Sequence, residues 1–135
     1  MAKKILIVDD EPQIAMLLNA RLRANHYEVL VAYDAMQGFQ IAVRTIPDLI
    51  LLDLRMPAGG GGGLFENLQK NIQTTLIPVI FITAHGNDDI EKACRDSGAV
   101  DFIRKPFDPD DVLRKVRKAL KEPDVPPKMD GSPLP

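Results

Sequence analysis

Three aspartates, a threonine and a lysine each stand at or just beyond the end of a short apolar run. Ile5-Leu6-Ile7-Val8 leads into Asp9-Asp10, Leu49-Ile50-Leu51-Leu52 into Asp53, and Val79-Ile80-Phe81-Ile82 into Thr83. Val100-Asp101-Phe102-Ile103 leads through Arg104 to Lys105. Runs this apolar read as strands buried on both faces of a parallel sheet, where ligands bind beyond the carboxyl ends. Such a sheet would gather three carboxylates, one hydroxyl and one ammonium on a single edge. Crowded carboxylates resist ionisation beside one another, and a divalent cation relieves the repulsion. With no imidazole or thiolate in the set, oxygen ligation favours Mg²⁺, with Mn²⁺ possible, over zinc. A carboxylate can itself attack phosphorus and form an aspartyl phosphate. Asp53 is the candidate nucleophile, alone on the central strand between the acidic pair and the Thr83/Lys105 side. Lys105 would offset charge on the phosphoryl oxygens, and the Thr83 hydroxyl would donate a hydrogen bond to them.

The segments between these runs carry helical spacing. Pro12 suits a first helical position, with Ile14, Leu17, Leu18 and Leu22 on one face. A further strand is expected over Glu28–Ala32, then a helix capped by Asp34 with Gln37 three residues on. Phe39, Ala42 and Val43 should face inward, and Pro47 should stop that helix before a strand over Asp48–Asp53. Leu64, Phe65, Leu68 and Ile72 mark a third helix. Ile90, Ala93 and the lone Cys94 mark a fourth, closed by Gly98. Asp108-Pro109 opens a fifth, with Val112, Leu113, Val116, Ala119 and Leu120 on its buried side. Five strands alternating with five helices predict a doubly wound α/β domain with helices on both faces. The flavodoxin-like order 2-1-3-4-5 sets the first strand beside the third, and therefore Asp9 and Asp10 beside Asp53.

Bulk properties allow this. The 135 residues suffice for one domain, with 45% apolar and 27% charged residues. A single cysteine excludes an internal disulfide and suits a reducing cytoplasm, the expected location. No apolar run is long enough to span a membrane. A net charge of −2 gives no general pull toward nucleic acid, and no DNA-reading helix is evident. Residues 1–121 are expected to form the domain. Residues 122–135, with five prolines, read as a disordered tail or linker.

Val8-Asp9-Asp10-Glu11, Leu52-Asp53-Leu54-Arg55-Met56-Pro57, Ile82-Thr83-Ala84 and Phe102-Ile103-Arg104-Lys105-Pro106-Phe107 resemble the receiver domain of two-component response regulators. The resemblance runs from Lys4 to Leu120. It implies that Asp53 takes a phosphoryl group from a sensor histidine kinase or phosphotransfer protein. It also implies that Asp10, Asp53 and the backbone carbonyl of Arg55 bind Mg²⁺, with Asp9 acting through water. Lys105 and Thr83 would contact the phosphoryl oxygens beside Ala84. Thr83 and Phe102 would form the switch, and Arg55 and His85 would tune phosphoryl lifetime. The Lys105-Pro106 bond is expected to be cis. Such a domain catalyses only its own phosphorylation and dephosphorylation, and a homodimer is possible through the fourth helix, fifth strand and fifth helix.

The chain departs from that pattern at Gly59–Gly63, five consecutive glycines where one glycine followed by a bulky apolar residue is usual. Glycine disfavours helix entry by up to about 1 kcal/mol relative to alanine. A mobile loop and a late start to the third helix are therefore expected, with a packing side chain missing near Gly62. Arg114, Lys115, Arg117, Lys118 and Lys121 make the last helix basic, which reads first as a solvated face. Three other readings stand beside the switch. A haloacid-dehalogenase-like phosphohydrolase would need a carboxylate where Arg55 stands. A flavodoxin would have to hold FMN phosphate against Asp9-Asp10-Glu11. A receiver could also serve as a constitutive docking module.

Overall fold

The computed structural model describes residues 2–56, 60–84 and 86–123. Ten elements alternate along it: β1 (Lys4–Val8), α1 (Pro12–Ala24), β2 (Glu28–Ala32), α2 (Ala35–Thr45), β3 (Leu49–Asp53), α3 (Gly60–Lys70), β4 (Val79–Thr83), α4 (Asp88–Asp96), β5 (Asp101–Arg104) and α5 (Pro109–Ala119). The strands form one parallel sheet in the order β2-β1-β3-β4-β5, as the alternation predicts. Register places Val8 opposite Leu52, Asp53 opposite Ile82 and Thr83 opposite Arg104, so the strand ends form a level edge.

Two-residue periodicity splits the apolar runs between two cores. Ile5, Ile7, Leu49, Leu51, Ile80 and Ile82 point to the face covered by α1 and α5. Leu6, Val8, Ile50, Leu52, Val79 and Phe81 point to the face covered by α2, α3 and α4. Every residue of β3 and β4 is buried, which is why these runs carry no polar alternation. Helix starts follow their caps. Asp34, Asn87 and Asp108 each accept a backbone N–H from the first turn of α2, α4 and α5. The Lys105-Pro106 peptide is cis.

Several expectations need correction. The third helix does not start late: it begins at Gly60, whose φ of +59° suits glycine, and the Gly61 N–H donates to the Leu54 carbonyl at 3.1 Å. The loop residues 57–59, including Gly59, lie outside the described residues. Ile72 falls beyond α3 and is 90% exposed, because the helix ends at Lys70. Leu17, Ala93 and Val100 are exposed rather than part of the core. Asp48 lies just before β3, where its carboxylate accepts the Lys4 N–H. Arg117 is not part of a solvated face: it is buried, and its guanidinium donates to Asn25 Oδ1 at 2.9 Å. Glu122, counted with the tail on composition, is tied to the domain by its N–H to Arg117 O and by accepting the Tyr27 hydroxyl. Cys94 is buried, as its helical spacing suggests.

The glycines at the head of α3 are of two kinds. A Cβ on Gly61 would lie 2.0 Å from the Asp53 carbonyl oxygen, so that backbone approach admits no side chain. At Gly62 and Gly63 a Cβ would meet nothing within 4 Å. The missing side chain leaves a groove of about 600 Å³ between α3 and α4, floored by Leu54, Phe65, Phe81 and Cys94. A second, of about 640 Å³, runs between α2 and α3 along Met36, Phe39 and Leu64.

Candidate functional site

At the carboxyl edge of the sheet, Asp9 directly follows β1 and Asp53 ends β3, both nearly excluded from solvent. The Asp9 N–H donates to Ala32 O at 3.1 Å, extending the β1–β2 ladder by one residue and fixing where the carboxylate emerges. Asp9 Oδ1 accepts the Glu11 N–H at 2.9 Å, and Asp53 Oδ1 accepts the Arg55 N–H at 3.0 Å. Each carboxylate is thus held by an amide two residues on, leaving Oδ2 to face the site. Asp10 is exposed at the rim, and Asp9, Asp10 and Asp53 offer oxygens that all lie within 4.8 Å of one another.

Lys105 reaches in from beyond β5. Its Nζ lies 3.0 Å from Asp9 Oδ2, 2.7 Å from Glu11 Oε1 and 3.4 Å from Asp53 Oδ2. Its N–H donates to the Thr83 carbonyl at 2.8 Å, so backbone pairing ties the lysine to the end of β4. Burial alone would lower the ammonium pKa. The hydrogen bonds to Glu11 and Asp9, and the charges of Asp9 and Asp53, more than reverse this and push Lys105 up to about 12. It stays charged at any physiological pH. Asp53 moves the other way from an ordinary carboxylate. Burial pushes it up to about 6, against the Arg55 N–H and the Lys105 charge, while Asp9 adds to the rise. A carboxylate that ionises reluctantly beside other carboxylates gains from a cation. The donor set is entirely oxygen, which fits Mg²⁺ or Mn²⁺.

Thr83 is fully buried at the end of β4. Phe102 is also buried, opposite Phe81 in the β4–β5 register, with its ring turned into the core. A Cβ on Gly86 would come within 2.9 Å of that ring and of the Arg104 stem. Arg104 in turn reaches Asp88 at 2.7 Å and Glu91 at 3.4 Å on α4. The edge therefore brings together Asp9, Asp10, Asp53, Thr83 and Lys105, with Arg55 at its rim. His85 lies outside the described residues. Sequence reasoning assigned no role to Glu11 or Gly61. Glu11 was signalled only by an acidic residue directly following the Asp-Asp pair. Gly61 was hidden inside a run of identical residues.

The response regulator receiver domain family matches residues 5–117. Among curated proteins, the DNA-binding dual master transcriptional regulator RpaA of Synechocystis is 39% identical over 121 residues, covering 90% of this chain and 50% of RpaA. The response regulator PleD of Caulobacter vibrioides is 38% identical over 90% of this chain and 27% of its own length. This chain thus spans half the length of RpaA and less of PleD. Among solved structures, a CheY-like response regulator receiver domain protein from Methanospirillum hungatei superposes with a TM-score of 0.82 at 29% identity, covering 90% of this chain and 95% of that one. With its strand order, acidic edge and a match over most of its length, the chain belongs to the response regulator receiver domain family of two-component signal transduction.

Proposed function

We propose that Asp53 is the phosphoacceptor of a Mg²⁺-dependent switch, charged by a sensor histidine kinase or a phosphotransfer protein. One observation carries this reading. A buried carboxylate at the centre of the sheet edge has an ammonium 3.4 Å from its outward oxygen and two further carboxylates within metal-sharing distance. Asp53 attacks the phosphorus of a phosphohistidine. An O–P bond forms, the P–N bond breaks, and its electron pair remains on the imidazole nitrogen. Lys105 and the Thr83 hydroxyl then meet the transferred oxygens. Asp10, Asp53 and the Arg55 backbone carbonyl are the residues that would hold Mg²⁺, or Mn²⁺, with Asp9 acting through water. When bound, the ion supplies positive charge against the charge developing on the phosphoryl oxygens.

Thr83 and Phe102 carry the change to the surface formed by α4, β5 and α5, and Arg55 and His85 are the residues assigned to tuning phosphoryl lifetime. The domain turns over no outside substrate. Among the described residues no helix is long and apolar enough to cross a membrane. The lone buried thiol suits the cytoplasm, and the proline-rich stretch beyond Glu122 would serve as a tail or a linker. RpaA is a DNA-binding regulator by name. We assign no direct nucleic-acid contact to this domain, and leave to it docking with the kinase and pairing with a second copy.

Incubating the 135-residue chain with Mg²⁺ and acetyl phosphate should add one phosphoryl group by intact mass, and Asp53→Asn should abolish the gain. Absence of uptake, or uptake that survives Asp53→Asn, overturns the assignment.

A further inference from the structure

We infer that Glu11 is a positioning residue that occupies, in the resting protein, the Lys105 hydrogen bond the phosphoryl group must take. This inference rests on the assignment of Asp53 as acceptor. An ammonium has three N–H donors. Those of Lys105 meet three carboxylate oxygens, on Asp9, Glu11 and Asp53, and Glu11 makes the shortest contact at 2.7 Å. Phosphorylation of Asp53 itself frees only the longest of these contacts, at 3.4 Å, so the ammonium can draw onto the phosphoryl oxygens only by loosening its hold on Asp9 or Glu11. Releasing Asp9 would strand a nearly fully buried carboxylate, which is costly without a partner. The Glu11 side chain is 51% exposed and rehydrates when released. Glu11 is the partner that gives way.

The local structure supports a dedicated role. Glu11 is the N-cap of α1, yet its side chain makes no capping hydrogen bond, and Pro12 offers no N–H at the next position. Its carboxylate instead crosses the sheet edge to a lysine 94 residues away in the chain. Glu11 thus holds the ammonium toward the β1 side of the site and raises the threshold for its transfer to the phosphoryl oxygens.

The test is a double-mutant cycle on the full chain. Second-order rate constants for phosphorylation by acetyl phosphate are measured at saturating Mg²⁺ for the wild type, Glu11→Gln, Lys105→Ala and the double variant. Circular dichroism confirms that each is folded. Glu11→Gln should raise the constant roughly two- to fivefold, the scale of a partly exposed charge interaction. In the Lys105→Ala background the same change should move it less than about 1.5-fold, as expected when an effect runs through the missing partner. An unchanged or lowered constant in Glu11→Gln overturns the inference. So does a rise that persists without Lys105, which would mean that Glu11 acts by charge alone. A wild type that takes no phosphoryl group sinks the acceptor assignment itself, a result distinct from both.

Discussion

The two faces of the sheet are built to different tolerances. The face under α1 and α5 is closed mainly with aliphatic side chains, Leu18, Leu22, Leu51, Ile80, Val112 and Val116 among them, with Tyr27 and Phe107 as its aromatics. The face under α2, α3 and α4 carries the aromatics Phe65, Phe81 and Phe102 and the thiol of Cys94, with grooves on both sides of α3 where Gly60, Gly62 and Gly63 supply no side chain. Both faces end on the same acidic rim. One is a filled wall, while the other has the grooves in the layer that also buries Phe102, the aromatic proposed as the switch. Interiors transmit small displacements only where two arrangements are available, and the grooves beside α3 leave room for a second.

The sharpest way to break this contrast is to cut equal volumes from the two faces. Leu22→Ala, under α1, should cost about 3–4 kcal/mol, whereas Leu64→Ala, which opens into an existing groove, should cost about 2 kcal/mol because less new cavity is trapped. Urea unfolding measures both, and equal losses would remove the distinction.

The shared rim gives the next largest effect. The Asp53 carboxyl titrates near 3.8 when unfolded and at about 6 in the folded metal-free protein. Below pH 3.8 it is protonated in both states and stability is intact. Between pH 3.8 and about 6 the unfolded chain ionises while burial keeps the folded carboxyl protonated, so stability falls across that window and stays lower above it. Asp53→Asn should therefore stabilise the metal-free protein by about 2–3 kcal/mol at pH 8, and this gain should vanish at pH 4. A gain independent of pH, read from chemical unfolding across that range, would contradict the origin assigned to it. Added Mg²⁺ should shrink the advantage at pH 8, since the ion relieves the wild type alone.

The smallest effect tests the loose side of α3 directly. Gly62→Ala places a methyl in open space within a helix and should stabilise by up to about 1 kcal/mol. Thermal unfolding that shows a loss would mean that the head of α3 is tighter than the grooves suggest.

Much of this was readable from local pattern. Burial on both sides leaves a strand no polar alternation, so the apolar runs declared themselves, and the residues ending them followed. The misplacements of Ile72 and Arg117 share one cause: a residue's polarity was taken for its burial or exposure. Ile72 continues the helical spacing of α3, yet the helix stops at Lys70 and leaves it in water. Arg117 carries charge, yet Asn25 satisfies it beneath the surface. The glycine run was read as uniform looseness because propensity treats identical residues alike. Their surroundings divide them, since Gly61 lies against the Asp53 carbonyl and Gly62 against nothing.

Taken alone, the order of residues determined the alternating elements, the parallel sheet and the chemical character of its edge, because each depends on spacing over a few positions. Only the folded chain decided which carboxylate loses its water, which three oxygens surround Lys105, and where a side chain has no room. Those depend on distances between residues separated by up to 96 positions, and local spacing carries no record of them.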